Sequence, residues 1–406
     1  MTKICIVSSG QPSSNPRMVK EAQSIALNGF EVSVVYSQLS NWATNLDKEL
    51  VDLNSEINWI CVNNGIIQNS IEFFKIRVRK KIWEKIYQFF SDVFDSDIKS
   101  SVLFSQELVK ATLKVQADLY IGHNLGALPA IIIASKSYNA KASFDFEDFH
   151  RGEYKVGDVQ SQKVKKIEDK YVPLLDFATC ASPLIEDEYK KLYPYVKITT
   201  INNCFPFHYK DKSQRVNIDE DIKLFWFSQN IGTGRGVEDI IRAIGLVNDK
   251  RIKLTLLGNS TDDIKKYFID ISIENNLSSD QLIFLDPVPE KELVKIGMQH
   301  HIGIASEILL QENRNYCLTN KIFIYLLAEN AILFSNTKAQ SEFLKQYPGI
   351  GYLYNQGKVE EIANHLKTYL QQPTVLENQR NKSCQFGQDL NWEKERLKLL
   401  DFYRLE

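Results

Sequence analysis

Three glycines and one arginine form the clearest candidate site for chemistry in this sequence. The segment FSQNIGTGRGVEDIIRAI, residues 227–244, runs from an apolar strand pattern through Gly232, Gly234 and Gly236 into an amphipathic helix pattern. Glycines let backbone N–H groups approach a ligand closely, and the N-terminus of a helix favours a negative charge. Arg235 adds a guanidinium group whose geometry matches phosphate oxygens. The segment therefore predicts a phosphate-binding turn, and the alternative is a tight connection with a solvated arginine.

The spacing around this turn narrows the class of phosphate compound. The dinucleotide pattern GxGxxG would need a glycine at Val237, and the next predicted strand ends in Gly258 and Asn259 rather than in a carboxylate. The Walker pattern GxxxxGK[ST] does not occur in the sequence either. Both departures disfavour nicotinamide cofactors and P-loop ATPases. A sugar nucleotide, whose diphosphate suits the turn, is the favoured ligand.

Strand and helix patterns alternate along the chain, which is typical of parallel sheets covered by helices on both faces. The predicted strands span residues 3–8, 30–36, 57–62, 118–123, 141–146, 176–182, 196–201, 222–227, 252–258, 282–286, 302–306 and 331–335. A polar stretch at 205–221 is interpreted as a linker. We predict an α/β protein with two doubly wound, Rossmann-like domains, residues 1–205 and 206–406. Their strand ends are expected to face each other across a cleft, where such sheets bind ligands.

Composition and charge exclude several classes of partner. The chain has 406 residues, 44% of them hydrophobic and 25% charged, with a formal net charge of −2, so nucleic acid binding is not expected. Its six cysteines form no CxxC pair and predict neither a metal site nor a disulfide framework. The first eight residues resemble a strand rather than a signal peptide, and no apolar run is long enough to span a membrane. We therefore expect a cytoplasmic protein.

The segment from Glu72 to Phe94 combines apolar and basic residues as a helix on an anionic membrane does. One helical face collects its apolar members: Phe74, Val78, Ile82, Ile86, Phe89 and Val93. Around that face lie Lys75, Arg77, Arg79, Lys80, Lys81 and Lys85, with Trp83 and Tyr87 between them. Two interpretations follow. The segment makes peripheral contact with the inner face of a membrane, or it is an amphipathic helix that covers the core of the first domain.

Five segments of the second half occur in an order and spacing that resemble the donor-binding domain of the family 4 glycosyltransferases. They are FSQNIGTGRGVEDIIRAI, LTLLGNS, IFLDPVPEKELVKI, IGIASE and LTNKIFIYLLAENAILFSN. In the first half, SSGQPSSNPRMVKEAQSIALNGFEVSVV and ADLYIGHNLGALPA resemble the acceptor domain of the same family. The resemblance implies the GT-B fold and transfer of a sugar from a nucleotide-sugar with retention of anomeric configuration, without a bound metal or cofactor. The expected acceptor is a saccharide or lipid-linked saccharide in cell-surface polysaccharide or glycoconjugate synthesis. The resemblance also implies that the last helix, about 391–405, packs back on the first domain.

Site residues can be carried over position by position. The resemblance implies donor contacts from Arg235, Asn320 and Lys321, which join Gly232 and Gly234 of the glycine turn, and acceptor contacts from Asn15 and Arg17. The acidic cluster DFEDFH after a predicted strand of the first domain adds Asp145 and Glu147, which would orient the acceptor hydroxyl, and the alternative is a solvated acidic loop. It implies catalytic roles for His123, near the donor sugar and the acceptor, and for Glu312, which would hold the sugar, with Glu307 as the alternative. Transfer develops negative charge on the leaving phosphate, so fixed cations such as Arg235 and Lys321 meet the main catalytic demand.

The sequence also departs from the family pattern. Ile324 stands where the family has a glutamate that contacts the ribose, Glu329 stands where a small residue is expected, and Asn230 replaces a second diphosphate-binding arginine. Two other classes of function stay open. One is a sugar-nucleotide epimerase of the same fold, and the other is a catalytically degenerate partner that binds a sugar nucleotide without turnover.

Overall fold

A computed structural model of the protein describes residues 2–40, 43–66, 69–90, 95–155, 157–210, 215–218 and 221–404. Residues 91–94 of the predicted membrane-binding segment lie outside the described residues. So do residues 211–214 and 219–220 of the predicted linker, and Leu405 at the end of the predicted last helix.

Two compact units divide the chain. Unit 1 comprises Met1–Asn202, Gln311–Asn313 and Lys398–Glu406, and unit 2 comprises Asn203–Leu310 and Arg314–Leu397. The first boundary between them falls after Asn202, three residues before the predicted boundary at Phe205. The end of the last helix belongs to unit 1.

Unit 1 contains a parallel sheet of seven strands in the order β3-β2-β1-β4-β5-β6-β7. The strands are β1 (Lys3–Ser8), β2 (Glu31–Tyr36), β3 (Asn58–Cys61), β4 (Leu119–His123), β5 (Lys141–Phe146), β6 (Phe177–Cys180) and β7 (Lys197–Thr200). The central strands β4 and β5 are buried almost throughout, because helices cover both faces of a parallel sheet. This two-sided burial explains why their sequences show continuous apolar runs.

The helices numbered α1 to α8 belong to unit 1. They are α1 (Pro16–Leu27), α2 (Thr44–Leu53), α3 (Ser70–Phe89), α4 (Ser96–Ser101), α5 (Ser105–Thr112), α6 (Leu128–Tyr138), α7 (Val159–Tyr171) and α8 (Pro183–Leu192). Asn15 fixes the start of α1, since its Oδ1 accepts a hydrogen bond from the Met18 N–H at 3.0 Å. Pro16 at the first helical position needs no N–H partner there.

Unit 2 contains a parallel sheet of six strands in the order β10-β9-β8-β11-β12-β13. The strands are β8 (Ile222–Asn230), β9 (Ile252–Asn259), β10 (Leu282–Leu285), β11 (Ile302–Ala305), β12 (Ala331–Ser335) and β13 (Gly351–Tyr354). All twelve predicted strands are found, whereas β13 was not predicted. β13 has only four residues, and its Gly351 lies so close to β12 that a Cβ there would be 1.8 Å from the Ile332 carbonyl oxygen.

The remaining helices start with α9 (Val237–Val247), α10 (Asp262–Glu274), α11 (Glu290–Met298), α12 (Glu312–Tyr316) and α13 (Lys321–Leu327). They end with α14 (Lys338–Gln346), α15 (Val359–Gln371), α16 (Pro373–Gly387) and α17 (Trp392–Arg404). The amphipathic pattern predicted for this helix is confirmed, since Val237, Ile240, Ile241 and Ile244 of α9 are buried in the core of unit 2. The predicted α/β fold with two Rossmann-like sheets is confirmed.

A search of the described helices finds none with both the length and the apolar composition that a membrane span requires. All six cysteines are free.

Candidate functional site

The strand order of each sheet reverses at one point, between β1 and β4 in unit 1 and between β8 and β11 in unit 2. Open parallel sheets bind ligands outside the carboxyl ends of their strands at such a point. The glycine turn follows β8, and Ser306 and Glu307 follow β11. His123 ends β4. The fold therefore places the main predicted residues of each unit where its own sheet offers a binding site.

The turn between β8 and α9 depends on glycine conformations. Gly234 and Gly236 have φ angles of 68° and 81°, which side-chain-bearing residues rarely adopt. A Cβ at Gly236 would also lie 3.0 Å from the Cβ of Ser306. The Gly234 N–H donates to Glu238 Oε1 at 2.7 Å, and within the described residues no side chain caps the N-terminus of α9. The first amides of α9 therefore remain available to an anion.

Arg235 lies on the exposed side of this turn. Its Nη1 donates to Ser228 Oγ at 3.0 Å. In the part of the chain that the structure describes, Arg235 has no carboxylate partner. Its positive charge is therefore balanced by solvent rather than by the protein.

Lys321, the first residue of α13, is 8% exposed. Its Nζ lies 3.5 Å from Glu307 Oε1 and 5.7 Å from the centre of the Trp226 ring. Arg314 Nη1 lies 3.1 Å from the other oxygen of the same carboxylate, Glu307 Oε2. Glu307 is thus shared by two cations. We call Arg235, Arg314, Lys321 and Glu307 the cation cluster.

The surroundings of Lys321 disfavour its positive charge. Burial lowers the pKa of Lys321, and the charges of Arg235 and Arg314 lower it further, while Glu307 opposes them. An anion bound near Lys321 would relieve this repulsion and stabilise the charged amine. The cation cluster is therefore suited to a ligand with more than one negative charge.

Two buried hydrogen-bonding groups border the cation cluster. Ser306 Oγ and Trp226 Nε1 have no hydrogen-bond partner among the described residues. Most buried polar atoms are paired, because leaving one unpaired costs about 1–3 kcal/mol. Ser306 packs against the glycine turn, so an acceptor atom bound at that turn could pair with its hydroxyl.

The other predicted residues of the second half occupy different environments. Glu312 is exposed and belongs to unit 1, where its Cβ would be 3.0 Å from a Cβ at Gly152. Its alternative, Glu307, supplies the carboxylate of the cation cluster. Asn320 precedes α13 and is exposed. Position 324 is a fully buried isoleucine, so it offers no carboxylate for a ribose.

In unit 1, His123 lies at the centre of a buried group of charged side chains. Its Nε2 is 3.0 Å from Glu21 Oε2, and its Nδ1 is 3.2 Å from Glu147 Oε1 and 3.6 Å from Asp145 Oδ2. Arg17 joins the group through two contacts with Asp145, from Nε to Oδ2 at 2.7 Å and from Nη2 to Oδ1 at 2.8 Å. We call Arg17, Glu21, His123, Asp145 and Glu147 the buried polar cluster.

These contacts fix the charge of His123. Burial alone would lower the pKa of His123, but the charge of Glu21 and hydrogen bonds to Glu147 and Glu21 raise it to about 10. The imidazole is therefore protonated at neutral pH. Burial likewise opposes ionisation of Asp145, yet the charge and hydrogen bonds of Arg17 keep the pKa of Asp145 below its usual value. The buried polar cluster consists of three carboxylates and two cations.

Two further hydrogen bonds support Arg17 and Asp145 in this cluster. Arg17 Nη1 donates to the Ile201 carbonyl oxygen at 2.7 Å, and Thr179 Oγ1 donates to Asp145 Oδ1 at 2.5 Å. Among Arg17, His123, Asp145 and Glu147, only Glu147 is partly exposed, with 23% of its side chain accessible. Glu147 is thus the one of these four that can touch a ligand without rearrangement, and the other three position it.

Asn15, the remaining predicted acceptor contact, has a structural partner. Its side-chain oxygen caps α1, and its Nδ2 is buried without a hydrogen-bond partner among the described residues. Asn15 therefore lies at the start of the helix that carries Arg17.

Glu21, His123 and Asp145 also form a group that could hold a metal ion, since their donor atoms lie within 4.8 Å of one another. Their oxygens already have strong partners. The Tyr403 hydroxyl donates to Glu21 Oε1, and Arg17 contacts both oxygens of Asp145. A guanidinium group and a protonated imidazole supply the positive charge that a metal would bring, so the arrangement favours these cations over a metal.

Sequence reasoning missed several of these residues, namely Glu21, Thr179, Tyr403, Trp226 and Ser306. One signal existed for Glu21, because α1 buries Arg17, Lys20, Glu21 and Ser24, which share one helical face. An unusually polar buried stripe of this kind indicates a site. Tyr403 carries no such signal, since it comes from the end of the chain.

Comparisons by sequence give no match, either to a protein-family model or to a curated protein. Solved structures do match. HepE from Anabaena in complex with UDP shares 11% identity over 100% of both chains with a TM-score of 0.71. A glycosyltransferase from Rickettsia africae shares 12% identity over 99% of this chain and 98% of that chain, with a TM-score of 0.67.

TarM from S. aureus is a third structural neighbour. A mutant of TarM in complex with fondaparinux, alpha-GlcNAc-glycerol and UDP shares 12% identity over 99% of both chains, with a TM-score of 0.68. Identities of this size establish likeness of fold. The chain therefore has the two-domain GT-B fold of these glycosyltransferases.

Proposed function

We propose that the protein is a glycosyltransferase that moves a sugar from a nucleotide-diphosphate sugar to a saccharide acceptor. The observation that carries the proposal is the cation cluster beside the N-terminus of α9, which no described side chain caps, at the switch point of the unit 2 sheet. The fold of HepE, which was solved with UDP and with UDP-glucose, supports this class of donor.

The cation cluster suits the leaving group of such a reaction. Departure of the nucleoside diphosphate leaves negative charge on the phosphate oxygens, and preorganised donors aimed at that charge lower the barrier. We assign Arg235, Lys321 and the first amides of α9 to the diphosphate, with Gly232 and Gly234 giving the phosphates access to the backbone. Arg235 and Lys321 would neutralise the negative charge of the diphosphate, so the proposal includes no metal.

We assign Glu307 to the donor sugar, with Glu312 as the alternative. Glu307 is the second residue after β11, and its carboxylate lies 3.5 Å from Lys321 Nζ and 3.1 Å from Arg314 Nη1. A sugar hydroxyl could donate to this carboxylate while the diphosphate takes over its cations. Transfer with retention, and a place among the family 4 enzymes, belong to the same proposal on the basis of the sequence resemblance.

We assign acceptor binding to unit 1 through Glu147. His123 holds this carboxylate at 3.2 Å, and Glu147 is partly exposed, so it could accept a hydrogen bond from the attacking hydroxyl. TarM, whose structure contains alpha-GlcNAc-glycerol, supports a saccharide-like acceptor. A lipid-linked saccharide acceptor, in cytoplasmic synthesis of a cell-surface polysaccharide or glycoconjugate, extends this assignment.

One observation favours a second candidate function. A fully buried isoleucine, Ile324, occupies the position of an expected ribose-binding glutamate. Without that glutamate, the protein could bind a sugar nucleotide without turning it over. Such a protein would be a partner of another transferase. The two functions share donor binding and differ in turnover.

Binding is tested first, by thermal shift with a panel of UDP-, GDP-, ADP- and CMP-sugars. A ligand that binds only the folded protein raises its melting temperature. We expect one nucleotide class to stabilise the wild type and to lose its effect in Arg235→Ala. Arg242→Ala is the matched control, since Arg242 lies on α9, is exposed and pairs with Asp239 at 3.1 Å.

Turnover is tested second, by mass spectrometry and proton NMR of the stabilising donor after incubation with and without saccharide acceptors, since epimers have equal masses and only the NMR spectrum distinguishes them. Acceptor-dependent release of the nucleoside diphosphate supports a transferase. A changed sugar without any acceptor would indicate an epimerase, and binding without a product would indicate the non-catalytic partner. No stabilisation by any sugar nucleotide would contradict the proposal.

A further inference from the structure

Helix α3 exposes a row of apolar side chains on one face. The exposed fractions run from 37% at Val78 to 78% at Phe89. Successive members are three, four, four and seven residues apart, which places them along one side of a helix. The row consists of Ile71, Phe74, Val78, Ile82 and Phe89.

The opposite side of α3 holds the helix to unit 1. Tyr87 is its one buried residue among those that the structure describes, and Lys163 Nζ lies 4.7 Å from the centre of its ring. Lys99 Nζ lies 4.5 Å from the centre of the Trp83 ring, and Arg79 pairs with Glu107 at 2.6 Å. Trp83 and Tyr87 therefore face the protein. This is the reverse of a helix that covers a core, which turns its apolar row inward.

Basic side chains border the exposed row. Lys75, Lys81 and Lys85 are exposed, and among the described residues none of the three has an ion-pair partner. The whole helix contains six basic residues and two acidic ones, Glu72 and Glu84. An apolar row edged by unpaired lysines matches the interface of an anionic bilayer, where apolar side chains enter the acyl boundary and lysines reach the headgroups. A second copy of the same face would repel it, because both would carry these lysines.

We propose that α3 binds the surface of membranes that contain anionic lipids, with its exposed apolar row directed into the bilayer. The helix lies in the plane of the interface. This inference does not depend on the proposed transferase activity, and its test requires no donor or acceptor.

Co-sedimentation of the full-length protein with lipid vesicles tests the proposal. One set of vesicles is phosphatidylcholine alone, and the other contains about 30% phosphatidylglycerol, which gives the surface a negative potential. We expect the wild type to sediment with the anionic vesicles and to be released by high salt. Sedimentation should be weak with the neutral set.

Two variants separate the apolar and the charged contributions. Ile82→Asp places a charge in the apolar row and should weaken binding at least about tenfold. The triple variant Lys75→Gln, Lys81→Gln, Lys85→Gln should weaken it about 100-fold, since each lysine near an anionic surface contributes about fivefold.

Each variant has a matched control on unit 2. Ile273→Asp makes the same change at an exposed isoleucine of α10. Lys250→Gln, Lys266→Gln, Lys291→Gln removes the same net charge from three exposed lysines. Both controls should bind as the wild type does, and circular dichroism should show all variants folded.

Several results would overturn the proposal. These are no binding of the wild type to anionic vesicles, equal binding to both vesicle sets, or variants that match their controls. Light scattering on the vesicle-free protein gives a further check. A dimer that dissociates in Ile82→Asp would assign the apolar row to self-association instead.

Discussion

Both sheets have charged residues near the point where the strand order reverses, but the two sets of charges differ in whether the protein itself pairs them. In unit 1, Asn15 caps α1, and every charge of the buried polar cluster faces an opposite charge within the protein. In unit 2, no side chain among the described residues caps α9, and Arg235 has no carboxylate partner there. The comparison teaches that a switch point by itself is not a ligand site. The charges that the protein leaves unbalanced indicate where a ligand is needed.

The difference also predicts which substitutions change the stability of the protein and which change ligand binding. The charges in unit 1 are buried and paired, so removing one leaves another without compensation. Around Lys321, burial and the charges of Arg235 and Arg314 outweigh the attraction of Glu307, so removing this cation relieves the apo protein and weakens only the complex. Substitutions in the two clusters should therefore have opposite signatures.

The largest effect is expected from Asp145→Ala. This change leaves Arg17 buried without its carboxylate, and breaking a buried ion pair costs about 3–5 kcal/mol. The free energy of unfolding of unit 1, measured by urea denaturation, should fall by this amount. Glu31→Ala is the control, because its pair with Lys3 is exposed and should contribute less than about 1 kcal/mol. Equal losses in the two variants would remove the distinction between the clusters.

A pH dependence should follow from His123. Its pKa is about 10 in the folded protein and about 6.5 in an unfolded chain. A raised pKa stabilises the fold fully below pH about 6.5, and this stabilisation is lost as the pH rises through about 10. The free energy of unfolding should thus decline by a few kcal/mol across this window. In His123→Gln this part of the slope should disappear, and a slope that persists unchanged would contradict the assigned protonation.

Lys321→Met should have the opposite signature. It removes a cation that burial, Arg235 and Arg314 disfavour, so the melting temperature of the apo protein should hold or rise. Affinity for a nucleoside diphosphate should fall about 10- to 100-fold, since charge-assisted hydrogen bonds contribute about 1.5–3 kcal/mol each. Calorimetric titration and thermal unfolding of the same samples measure both quantities. A variant that loses stability and keeps its affinity would reverse our assignment.

The smallest effect is expected at the glycine turn. Gly236→Ala forces a side chain into a conformation with φ of 81° and against Ser306, which should cost about 1 kcal/mol and weaken ligand binding. Gly232→Ala is the matched control for stability, because a Cβ there meets no atom within 4 Å. Similar melting temperatures in the two variants would show that the turn has no conformational requirement.

The sequence predicted the sheets well because their strands are buried on both faces and therefore apolar throughout. It missed β13, which is short and begins with a glycine. Arg17, His123, Asp145 and Glu147 meet as one set because β4 and β5 are neighbours and α1 follows β1. Glu21 and Tyr403 join them through tertiary packing, which no local pattern reports.

Two features could not be predicted from the sequence. The pattern of α3 showed an apolar face but not its direction, since the same spacing serves a core helix and a membrane-binding one. The assignment of the donor sugar to Glu307 or Glu312 stays a proposal, because it depends on the loop after β11, whose residues divide between the two units. Loop geometry of this kind is set by contacts distant in sequence.

The central claim is that the cation cluster binds a nucleoside diphosphate. Calorimetric titration with nucleoside diphosphates and with their parent nucleosides tests this claim most directly. UDP, GDP, ADP and CDP would each be compared with uridine, guanosine, adenosine and cytidine. We predict that one diphosphate binds, that its nucleoside does not, and that Arg235→Ala and Lys321→Met weaken the binding while Arg242→Ala does not. The account would be contradicted if none of the four diphosphates bound the folded protein, or if the affinity were unchanged in Arg235→Ala and Lys321→Met.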